Sequence, residues 1–219
     1  MRSKKSSKML GIRVAATSDL HGNLPDIPKC DILVVCGDIG PLSSQYHYDI
    51  DYAKKWLTTH FTDWLLKANV PVVGIAGNHD FAARDSDIME MLPWNYLLDS
   101  SCNIYGCKFW GSPWTPKHSN WAFMANDNDL VSKWELIPDD TDILLTHGPP
   151  YNLGDRNSFG DCCGSMTLKD WRYSADSLPR MHFFGHIHEC SGEGDGHSWH
   201  NVSLLDKSLN VQEVQVFDL

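Results

Sequence analysis

The length, composition and charge of the chain exclude several classes of protein before any motif is considered. It has 219 residues, 42% of them hydrophobic, which favours one folded domain with a sizeable core over a disordered chain. A formal net charge of -10 argues against a stable complex with long nucleic acids, because such binding neutralises many phosphates with basic residues. It does not exclude a small phosphorylated substrate, because bound metal ions make a site locally positive.

The cysteines and the apolar runs indicate a reduced, cytoplasmic protein without a membrane partner. The chain has seven cysteines, an odd number, and it does not open on the apolar segment of a secretory signal. No apolar run approaches the ~18 residues that a membrane span needs. Cys102 and Cys107 bracket a predicted hairpin, and without a second pair ordinary packing is favoured over a zinc site. Residues 1–10 are expected to form a flexible basic tail, and residues 11–219 one domain.

The first half of the chain predicts strands that alternate with a helix. Apolar, β-capable runs at residues 12–19, 32–38 and 70–77 suit strands buried in a sheet that is covered on both faces. Between the second and third runs, apolar residues recur at helical spacing and give one apolar face. These residues are Ala53, Trp56, Leu57, Phe61, Trp64, Leu65 and Ala68. This order of elements is typical of an α/β fold.

The second half adds a hairpin, further strands and shorter helices. Residues 104–110 predict a hairpin that turns at Gly106. Apolar runs predict strands at residues 142–147 and 181–186, and a strand-like run occupies residues 209–217. Helical segments are expected within residues 121–134 and 165–175.

Polar side chains follow five of the predicted strands, at the point where each strand ends. In chain order they are Asp19 and His21, Asp38, Asn78 and His79, His147, and finally His186 and His188. Because sites in open α/β sheets form at the carboxyl ends of the strands, these side chains are expected to meet. Each motif alone is typical of a capped turn, but five motifs that each close an apolar strand favour a single site.

The residue types in this set favour a pair of metal ions. Oxygen and imidazole ligands without a thiolate suit Mn2+, which is the expected ion, with Fe or Zn2+ as alternatives. Seven candidate ligands are too many for one tetrahedral ion, but they suit two divalent transition-metal ions that share a bridging carboxylate. Such a pair clamps the attacking and leaving oxygens of a phosphoryl group, and a hydroxide between the ions is a nucleophile at neutral pH.

Five motifs resemble the signature of the calcineurin-like metallophosphoesterases, in the same order and across residues 12–189. They are Ser18-Asp19-Leu20-His21-Gly22, Gly37-Asp38, Gly77-Asn78-His79-Asp80, Thr146-His147-Gly148 and Gly185-His186-Ile187-His188. Four further stretches are similar to the animal metallophosphoesterase-domain proteins: Gly111-Ser112-Pro113-Trp114, Trp121-Ala122-Phe123, Asp142-Ile143-Leu144 running into Thr146-His147-Gly148-Pro149-Pro150, and Phe184 to Glu189. The resemblance implies a four-layer αββα sandwich, in which two mixed β-sheets pack face to face with helices outside.

The resemblance also implies a role for each residue of the set. The ligands of the first metal would be Asp19, His21 and His188, and those of the second would be Asn78, His147 and His186. Asp38 would bridge the two ions, which a carboxylate can do and a neutral imidazole cannot. His79 would be the general acid that protonates the leaving oxygen, and Asp80 would orient its ring.

Hydrolysis of a small phosphodiester, such as a 2′,3′- or 3′,5′-cyclic nucleotide, is the preferred hypothesis. Protein Ser/Thr phosphatases of this fold add arginines after the Gly-Asp and before the Gly-Asn-His motif, and both places lack arginine here. A site without those guanidiniums suits the single charge of a diester better than the greater charge of a monoester. Arg84 is the nearby cation that could compensate. A phosphomonoesterase, a nuclease and a non-catalytic interaction module are the alternatives.

Three long loops, at residues 40–47, 111–120 and 149–164, are expected to border the cleft, because they adjoin the ligand-bearing strands. The candidate substrate contacts are Asn23, Trp114 and Phe159. The sequence does not set the oligomeric state.

Overall fold

The computed structural model describes residues 11–219, so the expected tail at residues 1–10 lies outside the described residues. In chain order, the strands are β1 (Arg13–Thr17), β2 (Ile32–Cys36), β3 (Val72–Ile75), β4 (Asn95–Tyr96), β5 (Ser100–Ile104), β6 (Cys107–Ser112), β7 (Thr115–Pro116), β8 (Met124–Ala125), β9 (Ile143–Thr146), β10 (Met181–Phe184), β11 (Trp199–Asn201) and β12 (Gln215–Asp218). The α-helices are α1 (Ser44–Tyr48), α2 (Ile50–Trp56), α3 (Thr62–Ala68), α4 (Ser86–Glu90), α5 (Val131–Trp134) and α6 (Met166–Ser174).

Two five-stranded mixed sheets form the centre of the fold. The first has the order β12-β1-β2-β3-β4, in which only β12 is antiparallel to its neighbour. The second has the order β11-β10-β9-β6-β5, in which only the β5–β6 hairpin is antiparallel. The strands that carry the predicted polar residues are therefore central and parallel, with β1 to β3 in one sheet and β9 and β10 in the other.

Alternating side chains along these strands build three separate apolar layers. Val14 and Ala16 of β1 pack into the core between the two sheets, whereas Ala15 packs against the helices that cover the first sheet. In β9, Leu145 faces the core between the sheets and Leu144 packs with α5 and α6. Helix, sheet, sheet and helix therefore follow one another, which confirms the expected αββα sandwich of the α/β class. The apolar continuity of these strands arises because both of their faces are covered.

The long amphipathic helix is present but is not regular throughout. α2 and α3 are joined without a break by a wider, π-helical turn, Leu57–Phe61. The Thr62 hydroxyl donates to the Leu57 carbonyl at 3.0 Å within this turn. Leu57, Phe61 and Leu65 remain buried on the predicted apolar face, so the extra residue of the turn does not remove the face from the core.

The strand-like run at residues 209–217 is only partly a strand, and the prediction is wrong for its first half. Leu209 has a left-handed backbone (φ 61°), which ends any extended run. The Asp206 carboxylate fixes this turn, because it accepts the backbone N–H groups of Ser208 and Asn210 at 2.8 and 2.9 Å. Only β12 pairs with the sheet.

Two further features of the fold concern the cysteines and the lengths of the helices. All seven cysteines are free thiols, and Cys102 and Cys107 pack into the core between the sheets. Within residues 11–219, no helix is long and apolar enough to cross a membrane.

The core between the sheets should dominate stability. Phe109 is fully buried there, so Phe109→Ala is expected to lower the free energy of unfolding by about 3–5 kcal/mol. Phe159→Ala is the matched control, because this ring is 91% exposed and its loss should change the value by less than about 0.5 kcal/mol. Urea denaturation followed by tryptophan fluorescence measures both, and equal effects would contradict the assignment of the core.

Candidate metal centre

Strained backbone marks the point where the strand ends meet. Asp19, His21, Asp38 and His186 have φ values of 52°, 43°, 52° and 69°. Residues with a side chain rarely adopt this left-handed conformation, which costs on the order of 1–3 kcal/mol at each position. Such strain clusters where a site needs side chains in positions that regular structure does not provide.

A first cluster contains Asp19, His21 and His188, whose donor atoms lie within 4.8 Å of one another. His188 Nε2 lies 3.3 Å from Asp19 Oδ1. The backbone N–H of His186 donates to both oxygens of the Asp19 carboxylate, at 2.9 and 3.2 Å. The absence of a side chain at Gly185 permits this approach, because a Cβ there would lie 2.1 Å from Asp19 Oδ2. The cluster thus joins the end of β1 to the end of β10.

A second cluster contains Asp38, His147 and His186, again with donor atoms within 4.8 Å of one another. His147 Nε2 lies 3.3 Å from Asp38 Oδ2 and 2.9 Å from Asn78 Oδ1. The ring centroids of His147 and His186 are 5.1 Å apart. Here the ends of β2 and β3 meet the ends of β9 and β10.

Asp38 lies between the two clusters. Its Oδ2 is 3.3 Å from His147 Nε2 in the second cluster and 3.7 Å from His21 Nε2 in the first. Its other oxygen, Oδ1, accepts the backbone N–H of His79 at 2.8 Å, which fixes the carboxylate in place. The structure therefore brings all seven predicted ligands together, with Asp38 in contact with a histidine of each cluster.

The hydrogen bonding of these residues fits a cation. His147 Nδ1 lies 2.8 Å from the Cys36 carbonyl oxygen, which can only accept, so Nδ1 carries a proton. Nε2 lies against the oxygens of Asn78 and Asp38, which need either a proton on Nε2 or a cation between them, and a metal ion would take the place of that proton. His21 faces Asp38 through Nε2, and its Nδ1 is buried without a hydrogen-bond partner among the described residues.

The electrostatics of the buried carboxylates lead to the same conclusion. Asp19, Asp38 and Asp80 are at most 2% exposed. Burial, followed by the charge of Asp38, raises the pKa of Asp80 to about 7. Burial opposes the charged form of His147, but attraction to Asp38 outweighs it and raises the pKa of His147 to about 9. The site therefore requires positive charge, which divalent ions would supply.

Asp80 has a different role from the one expected of it. Its carboxylate accepts the backbone N–H groups of Ile39 at 3.0 Å and of Gly77 at 2.9 Å. It therefore braces the two loops that carry Asp38 and Asn78, and the expectation that it orients the His79 ring is wrong. Backbone donors compete successfully for this buried carboxylate because unpaired N–H groups are costly in the interior.

The hydrogen-bond partner of the His79 ring is His47. His79 Nδ1 lies 3.0 Å from His47 Nε2, and the Trp121 ring packs edge-on against His79 with centroids 3.8 Å apart. His47 lies in α1, one residue after Tyr46, whose hydroxyl donates to Asp80 at 3.3 Å. Sequence reasoning missed His47, and its place at the end of the long loop at residues 40–47 was the available signal.

A cavity of about 310 Å³ opens over the two clusters. Six of its lining residues belong to the predicted set: His21, Asp38, Asn78, His79, His186 and His188. The sequence did not single out its other lining residues as site residues: Leu42, His118, Trp121, Glu189 and Lys207. Leu42 and His118 come from two of the loops that were expected to border the cleft.

The three candidate substrate contacts are not brought to this cavity. The Asn23 amide donates to the Leu20 carbonyl at 2.9 Å and completes a local turn. Trp114 donates to Asp99 at 3.2 Å, and its ring packs beneath the Lys133 ammonium at 4.8 Å. Phe159 projects into solvent, 91% exposed. Local partners hold the first two side chains, and residue spacing alone does not reveal such partners.

The family follows from this fold and this cluster of ligands. The model of the calcineurin-like phosphoesterases matches residues 12–190, and the chain belongs to that family. The chain superposes on a solved structure with a TM-score of 0.65 at 16% identity. The superposition covers 95% of this chain and 99% of the chain in that structure, which shows that the two have a common fold. The family and the buried clusters together support a site for divalent metal.

Two relatives extend the comparison. Metallophosphoesterase domain-containing protein 1 of Homo sapiens is 31% identical over 215 residues, which are 82% of this chain and 61% of that protein. A protein of Emericella nidulans named "Probable rhamnogalacturonate lyase C" is 32% identical over 204 residues, 87% of this chain and 18% of that protein. The chain thus spans less than two thirds of the length of either relative.

Metal content should depend on Asp38 more than on any other ligand. We expect about two Mn2+ ions per chain at saturation. Asp38→Ala should lose both ions because this carboxylate lies in contact with both clusters, whereas Asp19→Ala should retain about one. Elemental analysis after gel filtration gives the stoichiometry, with the exposed Asp63→Ala as the control that should match the wild type. No more than one ion in the wild-type protein would exclude a dinuclear centre.

Proposed function

We propose that this protein is a metal-dependent phosphodiesterase that hydrolyses small phosphodiesters, with cyclic nucleotides among its substrates. The observation that carries the proposal is the position of Asp38, which lies within 3.7 Å of a histidine of each cluster. One carboxylate placed in this way suits a pair of ions that act on the same phosphoryl group.

The two ions would be held by residues from both sheets. The first would be held by Asp19, His21 and His188, the second by Asn78, His147 and His186, and Asp38 would contact both. When bound, they would supply Lewis acidity, which lowers the pKa of a water molecule and neutralises charge on the phosphoryl oxygens. Burial lowers the pKa of His21 and, to about 3, that of His186. Both rings are therefore neutral near pH 7, whereas His147, whose pKa attraction to Asp38 raises to about 9, would lose a proton when an ion binds.

His79 is the proposed proton donor to the leaving oxygen. Burial lowers the pKa of His79 to about 4, so its ring is neutral near pH 7 and carries one proton. Nε2 is the nitrogen on the side of Asp38, at 3.8 Å, while Nδ1 faces His47. When the His47 Nε2–H donates to Nδ1, the proton of His79 must lie on Nε2. The hydrogen bond with His47 therefore selects the tautomer whose Nε2–H faces the cavity, and a protonated His47 would return a proton to Nδ1 as the Nε2 proton passes to the leaving oxygen, so that no imidazolate forms.

The charge of the cavity favours diesters over monoesters. Arg84 does not line the cavity: its guanidinium donates to the Trp121 carbonyl at 3.0 Å and packs over the Phe81 ring. Lys207 is the only lysine or arginine among the described residues that line it. Two divalent ions, partly neutralised by Asp19 and Asp38, suit a monoanionic diester. A monoester near neutral pH carries about two negative charges and would require further guanidinium groups.

The size of the cavity and the charge of the chain favour a small substrate. The cavity of about 310 Å³ lies at the lower end of the range for small-molecule sites. The net charge of -10 would repel an extended polyanion such as a long nucleic acid. A cyclic nucleotide is compact and monoanionic and therefore satisfies both conditions.

A comparison of substrates with one leaving group tests the diester preference. The Mn2+-loaded protein is expected to show a higher kcat/KM for bis-p-nitrophenyl phosphate than for p-nitrophenyl phosphate, because the monoester carries the greater charge. Assays with 2′,3′-cyclic and 3′,5′-cyclic AMP then rank the nucleotides. If the monoester is preferred by about tenfold or more, and Lys207→Met removes that preference, the enzyme is a phosphomonoesterase.

The roles of His79 and His47 predict a dependence on the leaving group. His79→Ala should retain the metals but lower kcat by about 10²–10⁴-fold for an alkoxide leaving group, which needs a proton. The loss should shrink for p-nitrophenolate, which is stable without one. His47→Leu should show a smaller loss with the same dependence, because the donor remains but its tautomer is no longer fixed. The exposed His60→Ala is the control. A loss of equal size for both leaving groups would exclude His79 as the acid.

A further inference from the structure

A second cavity continues from the metal centre along the protein surface. It has a volume of about 640 Å³, roughly twice that of the cavity over the clusters, and it shares His118 and His186 with that cavity. We call it the side groove, and we define it by Pro116, His118, Tyr151, Met166, His186 and Ile187. The two cavities therefore adjoin at His118 and His186, and His186 is the one candidate metal ligand among the described residues that line the side groove.

We infer that the side groove binds an aromatic ester group of the substrate, the one that stays on phosphorus when the other leaves. The inference rests on the proposed diesterase function. A phosphodiester has two ester groups, and the leaving one must lie beside the proton donor His79. The retained ester group must then extend from the phosphorus atom in another direction. The side groove adjoins the cavity and is the place where that group can lie.

One predicted ligand, His186, and its neighbour Ile187 form the near end of the side groove. Ile187 lies between His186 and His188 in the chain, and it is only 7% exposed, so it forms an apolar floor directly beside two predicted ligands. The ring of His118 stands at the border, with its centroid 5.6 Å from that of His186. A group bound to a phosphorus atom at the metal centre would therefore have the side groove beside it.

The wall of the side groove is chemically suited to a planar ring. Tyr151 supplies an aromatic ring that is half-buried, and Pro116, Met166 and Ile187 supply apolar surface around it. Aromatic and thioether side chains make favourable contacts with aromatic ligands. The Lys169 ammonium lies 5.2 Å from the centroid of the Tyr151 ring, on which it packs.

Two carboxylates, of which one is fully buried, hold this wall in shape. Asp155 is 1% exposed, and it accepts the backbone N–H groups of Asn152 at 2.9 Å and of Gly164 at 3.0 Å, which pins both arms of the loop at residues 149–164. Asp127 accepts the Thr167 N–H at 3.0 Å and so fixes the start of α6 beside Met166. A preformed wall loses little conformational entropy when a ligand binds, which favours a true binding site over a chance depression.

The side groove also offers a second basis for preferring diesters. A monoester places nothing in it, whereas an aryl or nucleoside ester gains contact area there without adding charge. Preference for a large retained group should therefore be separable from preference for low charge.

The test uses three diesters that share p-nitrophenolate as the leaving group and differ in the retained ester: methyl, phenyl and 5′-thymidyl. With Mn2+-loaded protein, Tyr151→Ala should lower kcat/KM for the phenyl and thymidyl esters by about tenfold, mainly through KM, because an aromatic contact is lost. Activity on the methyl ester should stay within about twofold of the wild type, because that ester does not reach Tyr151. Tyr173→Ala is the matched control: this tyrosine lies on α6, 82% exposed, and does not line the side groove.

A variant that fills the side groove gives an independent result. Met166→Trp should block the phenyl and thymidyl esters and leave the methyl ester unaffected. If both variants reduce all three esters equally, or leave all three unchanged, the side groove does not bind the retained ester group. If the wild-type protein hydrolyses none of the diesters, the proposed function itself fails. Hydrolysis of all three without any effect of the variants would overturn only the assignment of the groove.

Discussion

The buried carboxylate of Asp38 is the constraint on which the rest of the site depends. It is 2% exposed, and it lies at the edge where the strand ends of the two sheets meet. An ionised carboxylate is costly in such a place unless positive charge and hydrogen bonds surround it. The His79 N–H donates to one of its oxygens, and His21, His79 and His147 surround the other at 3.3 to 3.8 Å. These contacts keep the pKa of Asp38 well below its ordinary value, although burial opposes ionisation.

Much of the surrounding structure maintains this unfavourable arrangement. Left-handed backbone at Asp19, Asp38 and His186 holds the side chains inward and costs stability. Asp80 satisfies the backbone of the loops around Asp38, and Tyr46 in turn donates to Asp80. This chain of contacts explains why Gly40 has no side chain, since a Cβ there would lie 1.8 Å from the Tyr46 ring. The strained backbone therefore lowers the stability of the fold but holds the ligand side chains in position.

The elements and the ligands could be predicted from sequence because each rests on a local pattern. The apolar runs of β1 to β3, β9 and β10 and the polar residues that close them are visible in the chain, and their meeting follows from parallel strands. The partner of His79 was not visible in the same way. His47 and His79 are 32 residues apart, and only the packing of α1 against the loop after β3 brings them within 3.0 Å.

The candidate substrate contacts were also chosen without knowledge of their packing partners. Trp114 and Asn23 were reasonable candidates by position in the chain, but nearby Asp99 and Leu20 take up their polar atoms. The side groove draws residues from three regions, represented by His118, Tyr151 and Ile187, so no single motif predicts it. Residues at the ends of strands can be predicted from the order of the strands in the sequence. Residues that line a cavity cannot, because their positions depend on how the loops pack.

The origin of the ligands in two sheets links metal binding to the packing of the whole fold. Asp19 and His21 follow a strand of the first sheet, whereas their partner His188 follows a strand of the second. The second cluster is divided in the same way, with Asp38 from the first sheet and His147 from the second. Each metal ion would therefore join the two sheets at their carboxyl edge, while the core between the sheets joins them along their length. Because a ligand that binds only the folded state stabilises it, metal and core would support each other. A change that loosens the packing of Phe109 would then weaken metal affinity without touching a ligand.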